Sequence, residues 1–137
     1  MIMKEIKPYE RNVYYYETDT MNIVHHSNYI RMFEEARIDF MEQIGMPYSV
    51  MEEKGIIIPV ISVDAKFKTS LKFGDTFRVN MKLVKYTGVT FKCEYEITDV
   101  SDQTLYCSGS SEHCFLDNNL QLMKFKKLFP EYDALFK

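Results

Sequence analysis

Residues 27–45 read SNYIRMFEEARIDFMEQIG, and their period separates this stretch from the rest of the chain. Tyr29, Phe33, Ala36, Phe40 and Ile44 recur at three- and four-residue steps, the spacing that puts side chains on one face of an α-helix. Met32 and Met41 widen the apolar stripe, while Arg31, Glu34, Glu35 and Asp39 fall on other faces. Ser27 reads as the N-cap, and Gly45 followed by Pro47 as the stop. The spacing predicts one helix of about five turns. A short helical turn over Pro47 to Lys54, closed by Gly55, is expected next.

Outward from this helix the period falls to two. Asn12 to Glu17 (NVYYYE) is rich in β-formers and reads as a strand. After Gly55, Ile61, Val63, Ala65 and Phe67 alternate with Ser62, Asp64, Lys66 and Lys68 over Ile58 to Thr69. Gly74-Asp75 marks a turn, after which Phe77, Val79, Met81 and Leu83 alternate with Arg78, Asn80 and Lys82. Beyond Thr87-Gly88, Phe91, Cys93, Tyr95 and Ile97 alternate with Lys92, Glu94 and Glu96. Ser101-Asp102-Gln103 leads into a last strand, Thr104 to Leu116, ended by Asp117-Asn118-Asn119. A helical tail is expected after Pro130. Strand, long helix and four antiparallel strands make an α+β fold, a five-stranded antiparallel sheet against one long helix. The breadth of the apolar stripe predicts that the sheet curls around that helix.

With 137 residues the chain is expected to be one domain, 1–137. Ten Tyr and ten Phe give it the apolar content of a globular protein. A net charge of −3 implies no basic face, so nucleic acid is not the expected partner. Three cysteines, Cys93, Cys107 and Cys114, with no CxxC pair, point to reduced thiols in a cytoplasmic protein. The opening residues MIMKEIKPYERN carry no apolar core of a secretory leader, and no apolar run reaches membrane-span length.

Between the first strand and the helix lies YETDTMNIVHHSNY, Tyr16 to Tyr29. It places two acids, two histidines and several hydroxyl and amide groups between rigid elements, where sites are commonly built. A helix N-terminus adds free N–H groups suited to a developing oxyanion, and a nearby carboxylate suits general-base or nucleophilic work. The residues alone leave two readings open, Asp19 as a turn residue with His25 or His26 capping, or Asp19 as a reactive group.

The stretch resembles the 4-hydroxybenzoyl-CoA thioesterase family, and within it the YbgC-like acyl-CoA thioesterases, whose pattern runs roughly Y-x-D/E-T-D-x-x-G-V-V-Y-H-x-N-Y. Matches fall at Tyr16 or its neighbour, and at Glu17, Thr18, Asp19, Val24, His26, Asn28 and Tyr29, with further fits at Phe73-Gly74-Asp75 and at His113 and Phe115. The resemblance implies a single hotdog fold and hydrolysis of an acyl-CoA thioester without a cofactor. By that resemblance Asp19 is the catalytic carboxylate and His26 stands where a helix-start N–H polarises the thioester carbonyl. His25, Asn28, Tyr29 and Phe33 are carried over as substrate-side residues, Asn28 and Tyr29 also bracing the loop. Lys66, Lys68 and Lys85, with Lys92, are candidates for the CoA phosphates. The family's sites lie between subunits, so a homodimer or homotetramer is implied. Two departures are visible: Asn22 stands where the family has Gly, and His25 where it has an aromatic residue. Asn tolerates the left-handed backbone that Gly adopts there.

Other constellations are weaker. Asp19, His25 and His26 make a poor metal site, because adjacent histidines diverge and no fourth ligand is spaced to help, so no metal is expected. No cysteine sits in the electropositive setting a nucleophilic thiolate needs. An acyl carrier protein thioesterase and a non-catalytic acyl-CoA-binding hotdog are the competing functions.

Overall fold

A computed structural model describes residues 6–137; the first five, on which the reading of a missing leader partly rests, lie outside the described residues. The elements are β1 (Tyr9–Asn12), a 3₁₀ turn (Tyr15–Glu17), α1 (Ser27–Gln43), α2 (Tyr48–Glu53), β2 (Val60–Phe67), β3 (Thr76–Tyr86), β4 (Thr90–Thr98), β5 (Leu105–Cys114), α3 (Phe125–Leu128), α4 (Pro130–Asp133) and a closing 3₁₀ turn (Ala134–Phe136). The strands form one antiparallel sheet in the order β1-β3-β4-β5-β2. The α+β, five-stranded antiparallel expectation is met. Phe77, Val79 and Leu83 of β3 and Phe91, Cys93, Tyr95 and Ile97 of β4 bury one face against α1. The stripe of α1 closes that core with Tyr29, Met32, Phe33, Ala36, Phe40 and Met41.

Helix α1 stops as its sequence requires. Gly45 takes φ +91°, its N–H donates to Glu42 O, and the Met46 N–H reaches back to Met41 O. These paired bonds satisfy the last carbonyls through a left-handed residue that glycine adopts without penalty.

Four expectations need correction. The segment 12–17 is not a strand: pairing ends at Asn12, opposite Thr76, and the chain coils into the 3₁₀ turn at Tyr15. The Glu17 carboxylate causes this by accepting the Tyr14 N–H at 2.8 Å, a local bond that competes with extension. Ser27 is not the N-cap, because His26 is already helical at φ −55°, ψ −30°. The cap comes from His25, whose Nδ1 accepts the Ser27 N–H at 3.2 Å. On β2, Ile61, Val63 and Phe67 do not enter the core; they stay 57%, 40% and 53% exposed. Strand β2 is at the sheet edge and pairs on one side only, with β5, so alternation there marks a face without cover inside this chain. Helix α3 was not foreseen, although the expected tail after Pro130 is present as α4. Phe125 of α3 stacks on Phe115, while Phe136 lies tilted against Phe91 and edge-on to Phe115.

A polar chain crosses this core. Arg37 Nη1 donates to Tyr95 OH at 3.0 Å, Tyr95 OH lies 2.6 Å from Ser111 Oγ, and Ser111 Oγ lies 2.7 Å from His113 Nε2. His113 is fully buried, with Nδ1 3.1 Å from the Pro59 carbonyl and its ring stacked on Phe91. Burial, helped by the Arg37 charge, pushes its imidazole down to about 4. In the unfolded chain this group takes a proton below about 6.5. Between those values the unfolded state binds more protons, so stability falls as pH falls through that window. The full loss is about 3 kcal/mol. Urea unfolding at pH 7 and pH 4.5 should show it, and His113→Gln should flatten that part of the profile. An equal slope in the variant would assign the acid sensitivity to other groups.

Candidate active site

Residues 18–24 form a closed loop. Thr18 bridges Val24, the Asp19 N–H donates to Ile23 O at 2.9 Å, and Asn22 N–H donates to Asp19 O at 3.0 Å. Asn22 has φ +65°, so it occupies the left-handed position expected of it, and the departure from Gly leaves the turn intact. The carboxylate of Asp19 folds back on its own loop, Oδ1 accepting the Met21 N–H at 2.8 Å. This Asx turn fixes one oxygen and leaves the other to the cleft.

The loop is tied down on two sides. Val24 N–H donates to Leu71 O at 2.8 Å and Ile23 bridges Lys72, which moors it to the chain entering β3. On the helix side, Glu17 O accepts both the His25 N–H at 2.8 Å and the Asn28 Nδ2 at 2.9 Å. Asn28 is therefore a brace. Tyr29 is another, buried, with its hydroxyl oxygen accepting the Leu71 N–H at 3.4 Å.

These ties shape a cleft of about 420 Å³, lined by Asp19, Met21, His26, Tyr29, Phe67 and Lys68 among others. Asp19 and His26, seven residues apart in sequence, thus face one space. The His26 ring lies 4.2 Å from that of His25 and 6.3 Å from that of Phe67. Of the other anticipated residues, Lys68 lines the cleft, but Lys66 sits on the outer face of the sheet beside Lys82, Glu94 and Glu96. Lys85 pairs with Lys92 in the sheet row that runs through Glu112 to Ser62. That row is about 17 Å along β2 from Phe67. Neither Lys85 nor Lys92 reaches this cleft within one chain. Phe33 has no exposed surface; it stacks on Tyr95 at 4.4 Å and belongs to the core. His25 spends its Nδ1 on the helix start and on Ser27 Oγ, 2.9 Å away.

Sequence reasoning missed Met21 and Phe67 as cleft walls. The motif contained Met21, but nothing local marks an edge-strand Phe as a wall. Among the described residues, no group of three or more His, Cys, Asp or Glu side chains is placed to hold a metal. Cys93 and Cys107 are buried free thiols, and burial pushes each up to about 12, where they are protonated and unreactive. A second groove of about 410 Å³, between Tyr9, Phe40 and Leu83, lies against the C-terminal half of α1 and has no helix N-terminus on it.

The five-stranded antiparallel sheet with α1 against its buried face is the hotdog architecture of thioester hydrolases. The chain belongs to the thioesterase-like superfamily, whose family model matches residues 13–131. It is similar to a Bacillus subtilis protein provisionally named acyl-CoA thioesterase YneP, 30% identical over 93% of each chain. It is 36% identical to a provisionally named esterase of Aquifex aeolicus over 80% of this chain and 84% of the relative. Among solved structures, a DHNA-CoA thioesterase from Staphylococcus aureus superposes with a TM-score of 0.89 at 28% identity, over 95% of this chain and 87% of that one. The protein is a thioester hydrolase.

Proposed function

We propose that the enzyme hydrolyses acyl-CoA thioesters with the Asp19 carboxylate as its reactive group, in a site completed by a second copy of the chain. The observation that carries this is one cleft lined by both Asp19 and the start of α1. Among the described residues nothing in the chain accepts the His26 N–H, which stands at the positive end of the α1 dipole. A thioester oxygen placed there is polarised, and the amide strengthens its hold as negative charge develops. The Asp19 carboxylate either takes a proton from an attacking water or attacks the carbonyl carbon itself. In both routes the C–S bond breaks and CoA leaves as thiolate and takes up a proton. In the first the water oxygen becomes part of the released carboxylic acid. In the second the acyl group stays on Asp19 as an anhydride until water hydrolyses it, releasing the acid and restoring the carboxylate.

Lys68 on the cleft wall supplies positive charge toward the CoA phosphates. Lys66 and Lys85 have no such support within one chain. The free edge of β2 beside the cleft exposes Val60, Ile61, Val63 and Phe67, the surface through which a second sheet would extend the first. The described residues contain no helix long and apolar enough to cross a membrane. Three free cysteines support a reducing, cytoplasmic setting.

The test is thiol release from a panel of aliphatic and aromatic acyl-CoA substrates, with matched acyl carrier protein thioesters alongside and the oligomer measured by sedimentation velocity. Turnover of acyl-CoA by a sedimenting dimer or tetramer is expected. Preference for the carrier-protein substrates would move the assignment to that class, and acyl-CoA binding without turnover across the panel would make this a binding module. Full activity in a monomer would overturn the shared site.

A further inference from the structure

Behind the reaction loop, three elements converge on one guanidinium. Arg11 of β1 donates from Nη1 and Nη2 to Glu17 Oε1 and Oε2, both at 2.8 Å. Its Nε donates to Glu35 Oε1 of α1 at 2.7 Å, Nη2 reaches Glu35 Oε2 at 3.1 Å, and Nη1 reaches Asn12 O at 3.0 Å. Every N–H of the planar fork is thereby engaged. Arg11 also lies under the Tyr14 and Phe77 rings, 4.3 and 5.0 Å from their centroids, and Tyr9 OH donates to Glu35 at 3.0 Å. Burial works to raise the Glu17 carboxyl, but the Arg11 bonds and the Tyr14 amide outweigh it and hold it below the usual range.

Glu17 is 3% exposed, and its position in the backbone matters more than its charge. Its carbonyl takes both the His25 N–H and the Asn28 side chain, the bonds that join the Asp19 loop to the start of α1. The loop closes one residue later, at the Thr18–Val24 bridge. A guanidinium that fixes Glu17 to β1 and to Glu35 therefore fixes the offset between the Asp19 carboxylate and the helix-start amides.

We propose that Arg11 is a positioning residue for thioester hydrolysis, acting through Glu17 to set Asp19 against the N-terminus of α1. This rests on the reading of Asp19 as the reactive group. A lysine would keep the charge but not the fork that grips two carboxylates at once. The alternative is that the cluster only stabilises the packing of β1 on α1.

The test is steady-state kinetics at 25 °C, with thermal melts, on the full chain with its best acyl-CoA. Arg11→Gln and Glu17→Gln are expected to lower kcat about 10- to 100-fold, as ångström-scale misplacement does. KM should stay within about threefold, because the cleft wall is unchanged. Arg11→Lys should recover only part of the loss. Leu83→Ala, a core truncation that lines the second groove and not the Asp19 cleft, should lower Tm while holding kcat within roughly twofold. Parental kcat in Arg11→Gln would overturn the proposal, as would Leu83→Ala losing kcat in step with its Tm. If Arg11→Gln does not fold, Arg11→Lys decides alone, and parental kcat there overturns it too. Asp19→Asn in the same assay separates the two claims. An inactive Asp19→Asn beside fully active Arg11 variants removes the positioning role only, whereas an active Asp19→Asn removes the reading beneath it.

Discussion

Asp19→Asn is expected to lower kcat on acyl-CoA about 10²- to 10⁴-fold, the range that separates a positioned base or nucleophile from its absence. The structure makes this substitution a clean one. Asp19 uses Oδ1 to accept the Met21 N–H, and an asparagine carbonyl oxygen accepts the same bond in the same Asx turn. The 18–24 loop, the left-handed Asn22 and the ties to Leu71 and Glu17 should all persist. Tm should hold, since the change in stability at such a half-buried turn position is within about 0.5 kcal/mol. Asp19→Ala loses the turn bond as well, so its larger stability loss mixes two effects. Thiol release under saturating acyl-CoA, with sedimentation and melts on the same samples, checks the claim. Undiminished turnover in Asp19→Asn would move the chemistry elsewhere in the cleft.

Gly109→Ala carries the largest expected loss of stability. Gly109 lies in β5 between Tyr95 of β4 and Ala65 of β2. A Cβ at this position would come 2.3 Å from the Asp64 carbonyl oxygen and 2.7 Å from the Phe33 ring. Both approaches are inside van der Waals contact. The ring has no room to turn aside, because Phe33 is stacked on Tyr95 at 4.4 Å, and Tyr95 is held by Arg37 and Ser111. The carbonyl belongs to the β2–β5 ladder and moves only if that pairing opens. Overpacking of this kind costs about 1–3 kcal/mol and more where backbone must shift, so a loss of about 3 kcal/mol or more is expected. The measurement is the urea midpoint of Gly109→Ala beside that of Ser108→Ala, an outer-face neighbour whose change should be small. A shared midpoint would show that the sheet gives way there at no cost.

Gly109 also shows where sequence reading stops. Nothing local distinguishes it from any glycine in a strand; its reason is an aromatic ring 76 residues earlier in the chain. Phe67 is similar. It reads as a core residue by alternation, yet becomes half of a cleft wall because β2 ends the sheet. Arg11 and Glu35 are 24 residues apart, and only the docking of β1 beside α1 brings them within 2.7 Å.

Local sequence is enough for whatever depends on neighbours along the chain. That covers the helix from its 3.6-residue period, its stop at Gly45, the alternation of β3 and β4, the turns at Gly74 and Gly88, and the left-handed Asn22. It also put Asp19 and His26 in one stretch, although the ties to Leu71, Lys72 and Glu17 are what turn both toward one cleft. Tertiary structure decided which apolar faces are covered, which strand stands at the edge, and which lysines share a space with Asp19. Those depend on packing between segments far apart in sequence, where no local period or spacing carries information.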